Sequence, residues 1–307
     1  MAFHCGTVAL VGRPNAGKSS LLNALVGARI AAVSRRPQTT RTRLVGVATD
    51  EESGVQAILV DTPGIHEAWT PLNAFMVQEA EKALDEVDLA CWILDAEPLV
   101  AAVAEGRPVL DGALEQVATR VAGRTLVVAL NKVDTVDKPS LLPVLAAIEA
   151  RLRPAAIVPI SALKRKGLDD LLRTWGRLLP EQDPIHPPDH VTDALERQIV
   201  AELVRECVFE LTEQELPYAT AVEIERFDES MRAEGRVHVH AKILCEKPSQ
   251  KAILIGKGGA MIKRIGVRAR TSVEDLLGCH VRLDLFVVVE PDWTKKPRML
   301  RGLGYAG

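Results

Sequence analysis

The chain has 307 residues, 47% of them hydrophobic and 26% charged, and a formal net charge of −3. That is long enough for two domains with separate cores, and the balance is that of a soluble globular protein, which excludes a disordered, collagen-like or membrane-embedded chain. Five scattered cysteines, odd in number and never spaced C-x-x-C, exclude a disulfide framework or zinc finger and read as reduced thiols in the cytoplasm. The N-terminus Met1–Cys5 lacks the basic stretch and apolar run of a signal peptide, and no window is apolar enough to span a membrane.

The first element is the apolar run Val8–Val11, part of a strand predicted over 6–12. It is followed by Gly12-Arg13-Pro14-Asn15-Ala16-Gly17-Lys18-Ser19-Ser20 and then by a helical pattern over 17–27. Strand, G-x-x-x-x-G-K-S and helix in this order predict a phosphate loop. Its glycines let successive N–H groups converge on a phosphate chain at a helix N-terminus. Lys18 reaches the β- and γ-phosphates, and the Ser19 hydroxyl serves as a Mg²⁺ ligand. The chain is thus expected to bind a nucleoside triphosphate.

The polar, basic stretch Ser34–Arg43 has no apolar period and reads as a loop. A threonine hydroxyl in it can complete a Mg²⁺ shell only when a γ-phosphate is present, which makes a switch. Spacing alone does not choose among Thr39, Thr40 and Thr42. A strand near 43–49 precedes one at 56–61 that ends in Asp61-Thr62-Pro63-Gly64. Asp61 at a strand end can hold the magnesium shell, and Gly64 can offer its N–H to the γ-phosphate.

Further strands are predicted near 88–95, 124–131 and 155–161, with helices near 72–84, 111–122, 140–151 and 167–178. The alternation argues for an α/β fold with a mixed, mostly parallel sheet and ligands at the carboxyl ends of its strands. Two motifs fall at such ends. In Asn131-Lys132-Val133-Asp134, the Asp134 carboxylate can accept from both N1–H and the 2-amino group of guanine, a pair adenine lacks. Asn131 bonds the base and ties loops together, and the Lys132 stem covers the ring. In Ile160-Ser161-Ala162, backbone N–H groups at Ser161 and Ala162 can meet guanine O6.

Four prolines between Leu179 and His190 predict a stiff linker. The expected boundaries are a nucleotide domain over 1–180, a linker over 181–192 and a second domain over 193–307. That second domain opens with a helix capped by Thr192 or Asp193, followed by strands near 217–226 and 236–245 and the polar turn Asp228–Ser230. Gly256-Lys257-Gly258-Gly259 then lies between two helical patterns, and a strand follows at Val281–Glu290. This element order, with its G-x-x-G loop, is that of a type II, prokaryotic-type KH domain, an α+β fold that clamps single-stranded nucleic acid.

The expected RNA contacts are Ile255, Gly256, Lys257, Gly258 and Gly259 of the loop, with Lys251, Lys263 and Arg264 beside it. Lys247–Gly307 holds 12 Lys and Arg against 5 Asp and Glu, so a segment of +7 follows a body of −10. A polyanion is expected to dock on that segment. Aromatics are scarce at 4%, so backbone clamping and base-edge bonds should outweigh stacking. His238 and His240 share a strand face, but no third ligand is evident near them in sequence, so an exposed strand face is expected there. Trp293 and Tyr305, flanking the basic tail, are expected either to pack on the KH domain or to contact RNA.

A phosphate-loop GTPase domain joined by a short linker to a KH domain resembles the Era family of bacterial GTPases. The resemblance covers essentially the whole chain and is carried by GRPNAGKS (12–19), QTTRTR (38–43), DTPG (61–64), NKVD (131–134), ISA (160–162), ELPYATAVEIERF (215–227), 242–266 and KPRMLRGLGY (296–305). It implies a GTP-hydrolysing factor of 30S ribosomal subunit assembly that binds near the 3′ end of 16S rRNA. It also implies a cytoplasmic location, partly at the inner face of the membrane. The family's Q-T-T-R element makes Thr40 the switch ligand, so the expected catalytic set is Asn15, Lys18, Thr40 and Gly64, and the expected Mg²⁺ set is Ser19, Thr40 and Asp61.

In related GTPases an asparagine at the position of Asn15 helps hold a monovalent cation, which implies K⁺-stimulated hydrolysis. Ile65 stands where many GTPases carry a water-orienting glutamine, so slow intrinsic turnover is expected, and His66 is read as a solvated loop residue. A monomer is expected. Glu97–Pro108 departs from the family by standing where a shorter polar loop is expected.

Overall fold

The computed structural model describes residues 2–34, 44–61, 81 and 84–305. These fall into two compact units, one formed by 2–28, 44–61, 81 and 84–193 and the other by 29–34 and 194–305. Among the described residues no helix is long and apolar enough to cross a membrane.

The first unit is a six-stranded sheet in the order β2-β3-β1-β4-β5-β6. Its strands are β1 (His4–Val11), β2 (Leu44–Asp50), β3 (Val55–Asp61), β4 (Leu89–Asp95), β5 (Leu126–Asn131) and β6 (Ala156–Pro159). Only β2 runs antiparallel to its neighbour; the other pairings are parallel. Every residue of β3 and β5 is buried. This is why these strands read as unbroken apolar runs: helices cover both faces of a parallel sheet. The helices are α1 (Lys18–Val26), α2 (Ala96–Ala104), α3 (Gly112–Val121), α4 (Lys138–Leu152) and α5 (Leu168–Gly176). The helix expected near 72–84 lies largely outside the described residues.

The run 97–108, which departs from the shorter polar loop of the family, is largely helix. Asp95 caps α2 by accepting the Glu97 N–H at 3.2 Å, and Pro98 sits in the first turn, where a missing N–H is tolerated. Ala96 and Leu99 turn inward to the core around Trp92 and Leu130. The small, alanine-rich helix face gave little amphipathic contrast in sequence.

Residues 181–193 lie along the first unit. His4 and Glu181 form an isolated β-bridge. Gln56, fully buried on β3, accepts the N–H groups of Ile185 (2.8 Å) and His186 (2.9 Å) and donates to the His186 carbonyl (2.8 Å). Val191 accepts the Val47 N–H at 2.8 Å, so the proline-rich stretch runs beside the edge strand β2.

The second unit holds α6 (Glu196–Leu211), β7 (Ala221–Asp228), β8 (Arg236–Cys245), α7 (Pro248–Ile255), α8 (Ala260–Leu277), β9 (His280–Val289) and α9 (Pro297–Gly302). Its sheet, β7-β8-β9, is antiparallel at β7/β8 and parallel at β8/β9, the crossover being supplied by α7 and α8. Val237, Val239 and Ala241 of β8 are buried with Leu203, Val208, Ile265 and Val273 of the helices. The strand expected from 217 starts at 221, because Pro217–Thr220 form a turn in which the Thr220 hydroxyl donates to the Pro217 carbonyl at 3.0 Å. Trp293 and Tyr305 are buried, and the indole N–H donates to the Ala219 carbonyl at 3.0 Å, which settles the tail aromatics as packing residues.

Candidate functional site

The carboxyl ends of β1, β3, β5 and β6 bring the nucleotide motifs together. Gly12 leaves β1 so close to β4 that a Cβ there would lie 2.6 Å from the Ile93 carbonyl oxygen. Asn15 and Gly17 both take left-handed backbone (φ +66° and +102°), and a Cβ on Gly17 would lie 2.2 Å from the Asn131 amide nitrogen. Between Gly12 and Gly17, Pro14 and the buried Ala16 close the loop, and Gly17 opens α1 without any side-chain cap. The helix N-terminus thus presents backbone N–H groups to the loop, the arrangement that stabilises phosphate.

Lys18 is 6% exposed, and its ammonium donates to the Gly12 and Arg13 carbonyls, each at 3.2 Å. Burial pushes its pKa down, against the pull of the Asp61 carboxylate, so a phosphate chain would restore the charge balance of this buried cation. The Ser19 hydroxyl donates to Asp61 Oδ2 at 2.8 Å. A hydroxyl and a buried carboxylate converging beside the phosphate loop are hard oxygen donors, and this set fits Mg²⁺. Ser20 follows in the first turn of α1. Thr39, Thr40, Thr42, Gly64, Ile65 and His66 lie outside the described residues.

Asn131, the last residue of β5, is 2% exposed. Its Nδ2 donates to the Ala16 carbonyl at 2.8 Å, and its Oδ1 accepts the Ala162 N–H at 3.0 Å. One amide therefore fixes the phosphate loop to the loop after β6. Lys132 is left-handed (φ +64°), and its ammonium pairs with Asp95 at the end of β4. Asp134 is exposed in a short helical turn, Val133–Thr135, with its carboxylate free of any resolved ion pair among the described residues. The Ser161 N–H donates to Lys166 O at 3.0 Å and that of Ala162 is taken by Asn131, so both donors expected to meet the base are engaged by protein groups.

In the second unit the G-x-x-G loop links α7 to α8. Gly256, Gly258 and Gly259 all take left-handed φ (+72°, +60° and +81°), but they do so for different reasons. A Cβ on Gly256 would lie 2.8 Å from the Met261 backbone nitrogen, whereas at Gly258 and Gly259 it would meet nothing. The first glycine is needed for packing, and the other two keep the outer face of the loop bare so that a nucleic-acid backbone can approach. Lys257, Lys263 and Arg264 are exposed, while Lys251 and Ile255 are half-buried.

Between α8 and β9 lies a groove of about 380 Å³, with Ile262, Gly266, Leu283 and Leu285 along it and Lys263, Arg270 and Arg282 at its rim. The β9 residues were missed in sequence reasoning. The alternation Arg282-Leu283-Asp284-Leu285 was the available signal, but it does not say which strand lies beside α8. Arg268, on the same helix, pairs with Glu210 of α6 at 2.5 Å.

The profile of the 50S ribosome-binding GTPases matches residues 7–132 and that of the KH domain matches 215–294. GTPase Era of Xylella fastidiosa is 44% identical over 305 residues, covering 99% of this chain and 98% of that protein. GTPase Era of Syntrophus aciditrophicus is 40% identical over 303 residues, at 99% and 95% coverage. Among solved structures, Era in complex with MgGDPNP and nucleotides 1506–1542 of 16S ribosomal RNA superposes with a TM-score of 0.90 at 36% identity, covering 99% of this chain and all of that one. A variant of Aquifex aeolicus Era bound to GDP and AlF₄⁻ gives 0.88 at 35% identity and the same coverage. Identity at this level runs from the first strand to the last helix and spans both the nucleotide motifs and the G-x-x-G loop, and so the chain belongs to the GTPase Era family, whose activity is the hydrolysis of GTP.

Proposed function

We propose that this GTPase is a slow molecular switch that binds the 3′ region of 16S rRNA through its KH domain and acts in maturation of the 30S subunit. The observation that carries the switch is the contact of Ser19 with Asp61. Asp61 is the last residue of β3 and is followed in sequence by Thr62-Pro63-Gly64, so the residue beside the metal position also anchors the segment expected to sense the γ-phosphate. The RNA reading rests on the bare outer face of Gly258 and Gly259 and on the basic rim of the adjoining groove. It is supported by the related Era that was solved with 16S rRNA nucleotides.

In this reading Gly12–Ser20 wrap the phosphates and Lys18 bridges the β- and γ-phosphates. Ser19 and Thr40 would hold Mg²⁺, with Asp61 in its shell, and the ion would supply positive charge at those phosphates. Gly64 offers its N–H to the γ-phosphate. Asp134 selects guanine, Asn131 holds the base loop, Lys132 covers the ring, and Ser161 and Ala162 shape the pocket edge. Ile65 cannot orient water, which keeps intrinsic turnover slow, and Asn15 gives K⁺ a place against the phosphates. Residues 1–180 form the GTPase domain, 181–192 the linker and 193–307 the KH domain of a cytoplasmic monomer that contacts the inner face of the membrane peripherally.

The test is affinity for a short single-stranded RNA copying the 3′ end of 16S rRNA, measured with GDP and with GDPNP. Tighter binding with GDPNP is expected. Equal affinity in the two states would overturn the switch, and no binding in either would overturn the choice of RNA.

A further inference from the structure

On β8 the residues Val237, Val239 and Ala241 are buried, so His238 and His240 stand on the opposite face of the sheet, away from α6 and α8. The parallel register sets His238 beside Arg282 and His240 beside Asp284 of β9. The third ligand that the sequence did not reveal is therefore Asp284, 44 residues downstream. Its Oδ2 lies 2.7 Å from His238 Nε2 and 3.8 Å from His240 Nε2. The imidazole centroids are 4.1 Å apart, and one ligand atom from each of the three residues lies within 4.8 Å of the others.

We propose that His238, His240 and Asp284 form a binding site for a divalent first-row transition metal, Zn²⁺ foremost. Bonds of about 2.0–2.1 Å in tetrahedral geometry place ligand atoms roughly 3.3 Å apart, a spacing the two measured distances bracket. Two imidazoles and a carboxylate make a donor set suited to Zn²⁺, with water as the fourth ligand. The frame is already rigid, because β8 is hydrogen-bonded to β7 on one side and to β9 on the other. Phe286 stacks parallel to the His240 ring at 6.4 Å and restricts it.

The surrounding charges set the strength of the site. The Asp284 Oδ2 that faces both imidazoles also faces a guanidinium. Arg282 Nε lies 3.5 Å from the same oxygen, but its side chain is 73% exposed and has room to swing out. Asp228, the register partner of His238 on β7, is engaged by Arg226 and by the Ser230 N–H. A bound ion would tie β8 to β9, and the opposite face of β9 is the wall of the RNA groove, so occupancy should stiffen that wall.

A second cluster, His186, His190 and Asp193, lies within one short stretch, 186–193, and its aspartate side chain is 58% exposed. The test therefore uses the full chain carrying H186N and H190N, with Mg²⁺ and GDP saturating the nucleotide site. Co²⁺ is titrated in and followed by its visible absorption and by paramagnetically shifted imidazole N–H resonances. One saturable equivalent, two shifted imidazoles, displacement by Zn²⁺ and a higher Tm with Zn²⁺ are expected. H240N and D284N should each weaken binding by about tenfold or more, since even outer-shell partners of a metal site are worth that much. Absence of the shifted resonances, or an affinity in either variant equal to that of the parent chain, would overturn the site. Should a variant fail to fold, the resonances of its parent chain alone decide.

Discussion

The Asn131 side chain stands between Ala16 and Ala162, donating to the carbonyl of one at 2.8 Å and accepting from the N–H of the other at 3.0 Å. The two alanines lie 146 positions apart in the sequence. Asn131→Ala would leave a buried carbonyl and a buried N–H without partners, at a cost of about 1–3 kcal/mol. A lower Tm and a weakening of GDP affinity by about tenfold or more are expected in a melt and a fluorescent-nucleotide titration. Unchanged GDP affinity would show that the brace is irrelevant to the base pocket.

Gly17 is shaped by the same amide. Gly17→Ala adds a Cβ 2.2 Å from Asn131 Nδ2 on a left-handed backbone, so nucleotide binding should be lost and stability lowered by about 1–3 kcal/mol. In an Asn131→Ala background the collision disappears and only backbone strain remains. The two losses should therefore be less than additive, and strict additivity in this double-mutant cycle would refute the contact.

In the KH unit the glycines of one loop should separate by readout. Gly256→Ala collides with Met261 and should lower the Tm with RNA affinity falling only in proportion to the folded fraction. Gly258→Asp meets open space, so the fold should lose only about 1 kcal/mol. An added carboxylate facing phosphate should nevertheless weaken RNA binding by about tenfold or more at low salt. Fluorescence anisotropy alongside thermal melts checks both.

Hydrolysis should be about tenfold faster in K⁺ than in Na⁺, a small part of what an arginine finger supplies, and Asn15→Ala should erase the difference. Phosphate release at matched ionic strength reads this directly. Equal rates in the two salts with the unaltered chain would remove K⁺ from the mechanism.

Of the five cysteines, Cys5, Cys91, Cys207 and Cys245 are buried, and burial pushes their thiols up, that of Cys207 to about 12. Thiolate is the reactive form, so iodoacetamide at neutral pH should add once to the folded protein, at the half-buried Cys279. Intact mass and peptide mapping would show it, and a second rapid adduct would mean that the core opens more readily than its packing implies.

Sequence reasoning succeeded where chemistry and backbone demand coincide. Gly12, Gly17, Lys18, Asp61 and Asn131 each sit at a strand end or helix start whose type follows from the apolar run beside it, so the nucleotide site was largely legible. It fell short where the answer depends on which strands pair and in what register. Asp284 beside His240, and Leu283 and Leu285 beside α8, are set by a parallel pairing across two intervening helices. Nothing local in the sequence encodes that register. Helix α2 was hidden by its composition.

The proline-rich stretch has a practical consequence for anyone wishing to study the GTPase unit alone. Strand β2 is the outermost of its sheet, and the Val191 carbonyl and the Thr192 hydroxyl occupy its Val47 N–H and Val45 carbonyl. A fragment cut at residue 180 would uncover that strand's backbone and strip Gln56 of its bonds to Ile185 and His186. It would offer neighbouring molecules a ready template for strand addition, and hence for clumping. A fragment ending at residue 193 carries its own cover and should stay dispersed.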